Sequence, residues 1–268
     1  MMLGKENFTR AYALSLFVAA MTAVASIIGL LYQTAVYPTE ELRQTYIIND
    51  VLNLIVGLPI LLGSVWLAWR GRLVGLLLWP GGLLYGLYNY TAYFFGTPFG
   101  WETAVYSLIV LFSAYVIFEL LKNSDKQAIQ TQIADAIPTK TTGWLLLLFG
   151  VLFLLRAAGV MIDASAKQTI VPLTERGTLI ADMLLSLLWM AGGVLLLRRS
   201  SWGYVSGLGL LFAISMLFVG LILLLLLQPM MTAVPFVLMD VVVVAVMGLI
   251  VFVPLALFVR GVVRAEMV

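Results

Sequence analysis

Apolar runs of about 20 residues recur along nearly the whole chain, and this recurrence constrains the fold more than any motif does. Runs of this length read as membrane-spanning helices. Eight spans are expected, approximately Ala11–Gln33, Tyr46–Trp69, Leu73–Phe95, Thr103–Leu121, Gly143–Asp163, Thr178–Leu197, Trp202–Gln228 and Val234–Val259. The first is too long for a signal-peptide core and reads as a retained span. "QPMMTAVP", with Pro229 and Pro235, is the turn that separates the last two. The expected fold class is an all-α integral membrane protein.

Composition agrees. The chain is 63% hydrophobic and 10% charged, with a mean hydropathy of +1.08, against roughly 45–50% and 25% in soluble domains. A formal charge of +2 without a clustered basic patch argues against nucleic acid as a partner. Cysteine and histidine are absent, which removes disulfides, the usual zinc and haem ligands and the commonest general base. No carboxylate spacing suggests a metal site, no Walker-type loop or catalytic triad is present, and no cofactor is expected.

Lysine and arginine set the orientation. Eleven lie on one side: Lys5, Arg10, Arg70, Arg72, Lys122, Lys126, Lys140, Arg198, Arg199, Arg260 and Arg264. Three lie on the other, Arg43, Lys167 and Arg176, while Arg156 falls within a span. Both termini are therefore expected in the cytoplasm of a cell-membrane protein.

The chain also resembles itself. "YPTEELRQTYIIND" before span two and "VPLTERGTLIAD" before span six bring Pro38, Arg43 and Asp50 into register with Pro172, Arg176 and Asp182, within a residue or two. Arginines close both copies, at Arg70 and at Arg198–Arg199. A parallel four-plus-four repeat is expected, residues 1–122 and 143–268, since an even number of spans per copy preserves orientation. Between them, residues 123–142 carry Ile129, Ile133 and Ile137 at four-residue spacing, and Ser124 with Gln127 reads as a capping box. This predicts a short amphipathic helix on the cytoplasmic leaflet, with a plain linker as the alternative.

Polar residues within the spans mark a candidate site. By helical rise, Asp50 and Asp182 lie ~7 Å, Asp240 ~9 Å, and Asn89 and Arg156 ~10 Å below the outer ends of their spans. Burying a charge there costs about 2.5–3.5 kcal/mol on insertion scales, so these groups should face inward. Tyr85, Asn89 and Tyr93 follow each other by four in "YGLYNYTAYFFG" and share a helix face. Tyr85 lies ~15 Å deep by the same rise, too deep for an interfacial belt, whereas a belt suffices for Tyr90 and Tyr93. Two structural readings compete. Asp50 and Asp182 lie near expected helix N-termini, where the dipole favours a carboxylate, and Arg156 with Asp240 forms a neutralising pair between spans five and eight. Candidate ligand-binding residues are thus Asp50, Tyr85, Asn89, Tyr93, Arg156, Asp182 and Asp240, with no catalytic or metal assignment.

"LLLRRSSWGYVSGLGLLFAISMLFVGLILLLLLQP" and "VPLALFVRGV", in the second half, resemble stretches of uncharacterised prokaryotic multi-pass membrane proteins, a resemblance that implies no activity. Three classes stay open: a protein binding or transporting a small polar or charged solute in an outward-facing cavity, an accessory component whose charges only hold helices together, and a histidine-free intramembrane enzyme acting on lipid.

Overall fold

The computed structural model describes residues 8–267, all helix and turn, with no strand among them. Helices α1 (Thr9–Leu31) and α2 (Gln33–Val36) lead to α3 (Glu40–Leu52), which passes through a π turn (Asn53–Gly57) into α4 (Leu58–Trp69). Then come α5 (Leu73–Gly96), α6 (Trp101–Asn123), the short α7 (Lys126–Ile133), α8 (Thr139–Ala166), α9 (Leu173–Leu197), α10 (Ser201–Met231) and α11 (Leu238–Met267).

Among the described residues, seven helices are long and apolar enough to cross a membrane: α1, the continuous Glu40–Trp69 helix, α6, α8, α9, α10 and α11. The expected third span, α5, has the length, 24 residues, but not the apolarity, because four tyrosines, an asparagine, a proline and five glycines dilute its leucines. It is instead the axle of the bundle. Seventeen of its 24 residues are buried, and α4, α6, α9 and α10 all pack on it.

Helices outrun their apolar windows because polar ends continue the same hydrogen-bond ladder. The second span starts at Glu40, capped by Thr39 Oγ1, which accepts the Leu42 N–H at 3.3 Å. Glu40 and Glu41 then lie in the first turn, where the dipole favours them. The π turn was not expected. Pro59 lacks an N–H and cannot continue the regular ladder, and the widened turn just before it absorbs the mismatch.

Two interhelical turns are built alike. After α4, the Arg72 N–H bonds to Leu67 O and the Gly71 N–H to Ala68 O. After α9, the Ser200 N–H bonds to Leu195 O and the Arg199 N–H to Leu196 O. Both are Schellman closures, with Gly71 and Arg199 at φ of 79° and 52°. Gly75 and Gly203 follow, each pressed on the backbone of the preceding helix end, and Gly81 and Gly209 let α5 and α10 cross backbone to backbone.

The predicted linker helix exists as α7, with different details. Its N-cap is Asp125, whose Oδ1 accepts the Ala128 N–H at 3.0 Å, while Ser124 Oγ turns back to Leu120 O. The expected Ser124–Gln127 capping box is not formed. Ile129, Ile133 and Ile137 are buried, with α10 and α11 packed on α7. Gln130 Nε2 donates to Arg199 O at 2.9 Å and Gln132 Nε2 to Ala265 O at 3.1 Å. The isoleucine stripe is covered by the chain's own helices rather than laid on lipid. The tail is fastened nearby, where Glu266 accepts the Val74 N–H at 2.9 Å and pairs with Arg72 at 3.1 Å, occupying a free donor of the first turn of α5.

Candidate functional site

The face shared by Tyr85, Asn89 and Tyr93 borders a cavity of about 220 Å³ between α3, α5, α9 and α10. Tyr46, Tyr88 and Trp189 also line it. Tyr85 is 2% exposed, and small residues make room for it. A Cβ added to Gly57 would lie 3.1 Å from its ring, and one added to Gly220 would lie 3.0 Å from its hydroxyl. Asn89 Nδ2 donates to Asn53 Oδ1 at 3.2 Å, bridging α5 to the start of the π turn.

Two aspartates flank this cavity, each held by a tyrosine of α5. Asp182, 2% exposed, accepts from Tyr88 at 2.9 Å and from Arg156 Nη1 at 2.6 Å. Arg156 therefore pairs with Asp182, which corrects the expected Arg156–Asp240 pair. The cause is adjacency: α8 and α9 form a closely packed hairpin, whereas α11 packs chiefly on α10 and barely meets α8. Asp240 is exposed in the first turn of α11 and stands apart from the other candidates.

Asp50 is 1% exposed and accepts from Tyr37 at 2.8 Å and from Tyr93 at 3.0 Å. Among the described residues no lysine or arginine pairs with it. Tyr37 lies outside the spans, where burial first, and then the Asp50 carboxylate, push its hydroxyl far above the ordinary phenol range, so that it stays a donor. Neither aspartate is near a helix N-terminus: Glu40 and Leu173 begin those helices, each more than two turns upstream. The dipole reading is corrected accordingly.

The belt expected at Tyr90 and Tyr93 is also overturned. Both rings are buried in a cluster with Tyr46 and Tyr106, with centroids 4.4 to 5.7 Å apart. Tyr90 donates to Thr22 O at 3.2 Å and lies 3.3 Å from Ser26 Oγ. A phenol at that depth satisfies its hydroxyl on a neighbouring helix more cheaply than a distant interface allows.

Sequence reasoning passed over Tyr37, Asn53 and Trp189. Asn53 carried a readable signal, since it lies three residues after Asp50 and shares its helix face. Trp189 carried none, being one more apolar residue in an apolar run. Its indole N–H is buried and has no acceptor, and the Asn53 amide nitrogen is in the same condition. An unpaired buried donor costs about 1–3 kcal/mol, so an acceptor supplied in the cavity beside Trp189 would recover that energy. No family model matches the chain, and neither any curated protein nor any solved structure matches it.

Proposed function

We propose that this multi-pass membrane protein binds a small polar solute in the cavity between α3, α5, α9 and α10. The observation that carries the reading is the unpaired indole N–H of Trp189 on a wall whose other polar groups are tyrosines, threonines and amides, set among leucine, isoleucine and phenylalanine side chains. A volume of about 220 Å³ exceeds a benzene-sized cavity, roughly 150 Å³, and limits the occupant to a small molecule. With the Arg156–Asp182 pair neutralised beside it, the cavity favours a solute that offers an acceptor and an apolar flank.

We infer further that α5 is an eighth span, because 24 residues rise ~36 Å, enough to cross a bilayer. The 11-to-3 bias of basic residues supports cytoplasmic termini and a cavity opening outward. The two like turns and the crossing glycines Gly81 and Gly209 support a parallel four-plus-four repeat. A second reading, a non-catalytic accessory protein, draws on the Arg156–Asp182 pair and the tyrosine-held Asp50, since both also fasten helices together.

The chain has no cysteine, so single thiols are clean probes. Asn89→Cys and Thr178→Cys, both on the cavity wall, should react with a small membrane-impermeant thiol reagent added outside, while Tyr90→Cys stays protected. Protection of all three in a folded protein would replace the solute-site reading with the accessory one.

A further inference from the structure

We propose that Asp50, the Tyr93 hydroxyl and the backbone carbonyl of Tyr46 form a proton-binding site just behind the cavity wall, linking proton uptake to cavity occupancy. The linkage rests on the solute-site reading; the proton site does not.

The two flanking aspartates differ in one respect. Asp182 has a guanidinium at 2.6 Å, whereas Asp50 has none. The titratable groups facing Asp50 are all phenols: Tyr46 on its own helix, Tyr37 from the preceding segment, Tyr90 and Tyr93 from α5, and Tyr106 from α6. From α1, Ser26 and Gly29 approach it, the latter leaving room for the carboxyl. The charges acting on these phenols, Glu41 on Tyr46 and Glu102 on Tyr106, are acidic. Asp50 is thus a buried carboxyl met by phenol hydroxyls, with no cation paired to it among the described residues.

The hydrogen-bond geometry serves both protonation states. The Tyr93 oxygen lies 3.0 Å from Asp50 Oδ1 and 3.2 Å from Tyr46 O, yet a phenol has a single hydrogen to give. With Asp50 ionised, Tyr93 donates to Oδ1 and Tyr37 to Oδ2. With a proton on Oδ1, the new O–H donates to the Tyr93 oxygen, and Tyr93 turns its own hydrogen to the Tyr46 carbonyl. The proton comes from water and returns to it, nothing is oxidised or reduced, and only one O–H bond rotates. Asp182 lacks this freedom: a proton on Oδ2 would oppose the Arg156 N–H, and Tyr88, which donates to Oδ1, has no second acceptor among the described residues to turn to. Tyr46 and Tyr93 both line the cavity, so an occupant pressed on their rings acts on the relay directly.

Infrared difference spectroscopy of the full chain in lipid, titrated from acid to alkaline buffer, tests this. A protonated-carboxyl band should fade as pH rises, be absent in Asp50→Asn and persist in Asp182→Asn. Tyr93→Phe removes a donor to the ionised form, and should raise proton affinity roughly tenfold, moving the midpoint upward; Tyr37→Phe should move it the same way. An Asp50-dependent band that is missing, or constant across the titration, overturns the proton site, as does an unmoved midpoint in both phenylalanine variants. For the linkage, N-ethylmaleimide coupled to Asn89→Cys serves as a fixed occupant. The adduct should shift the Asp50 midpoint by about fivefold in proton affinity relative to the unreacted thiol, in the range of ordinary site–site coupling. An unshifted midpoint overturns the linkage. A thiol that does not react removes the linkage together with the cavity reading, and leaves the titration to stand or fall separately.

Discussion

The Arg156–Asp182 pair allows a quantitative test because its partners differ so sharply in exposure, 52% for the arginine side chain against 2% for the aspartate. Replacing Arg156 by leucine leaves a buried carboxylate with Tyr88 as its sole hydrogen-bond donor among the described residues. Breaking a fully buried pair costs about 3–5 kcal/mol. Half-exposure of the guanidinium screens part of the attraction, and Tyr88 remains, which lowers the expectation to about 2–3 kcal/mol. Asp182→Asn should cost less, about 1 kcal/mol, since the half-exposed guanidinium can turn to polar surroundings and the amide oxygen still accepts from Tyr88. The double variant should also cost about 1 kcal/mol, giving a coupling of about 2–3 kcal/mol. Unfolding in mixed micelles of rising denaturing-detergent fraction, followed by far-ultraviolet circular dichroism, measures all four proteins. Additive single costs, or Asp182→Asn costing more than Arg156→Leu, would refute the pairing. A parallel cycle with Asp240→Asn should show no coupling to Arg156, and coupling there would restore the pair expected from depth alone.

Arg199 holds a φ of 52° in a Schellman turn, where the matching turn has glycine. Arg199→Gly should therefore stabilise the fold by about 1 kcal/mol in the same unfolding assay, the left-handed strain of a side-chain-bearing residue; a loss of stability would contradict it. For topology, Lys167→Cys should be labelled in intact cells by an impermeant thiol reagent and Gln127→Cys only after lysis; the reverse pattern would invert the orientation.

The sequence displays depth along a helix well and azimuth around the bundle poorly. Asp50, Asp182, Arg156 and Asp240 were all placed inside spans, and at comparable depths any cation can be matched with any acid. What selects Asp182 for Arg156 is that α8 and α9 are hairpin neighbours in close packing, a fact of tertiary arrangement that no periodicity encodes. Tyr90 failed for the same reason. Its depth suits an interfacial belt, but its direction, toward Thr22 and Ser26 of α1, depends on where α1 stands. The four-residue spacing of Tyr85, Asn89 and Tyr93 was readable because it is a property of one helix, and all three do border one cavity.

The tension at α5 has the same origin. Each hydroxyl that serves the cavity or an aspartate lowers the apolarity of the helix that carries it, so the segment richest in site residues is the one that falls short of a membrane span by composition. Burial resolves this, because a helix enclosed by α4, α6, α9 and α10 meets protein rather than lipid on most of its surface. Its phenols then find partners on α1, on α9 and next to Asp50, at Thr22 O, Asp182 and the Tyr46 carbonyl. Hydropathy prices a side chain against lipid, whereas the cost that applies to Tyr88, Tyr90 and Tyr93 is that of an unmade hydrogen bond, which the surrounding helices remove. The polar helix is thus stable only inside the other helices. Any substitution that loosens α5 from α9, at Gly177 for example, where a Cβ would meet the backbone of Ala92 and Gly96, should disturb the cavity before it disturbs the span.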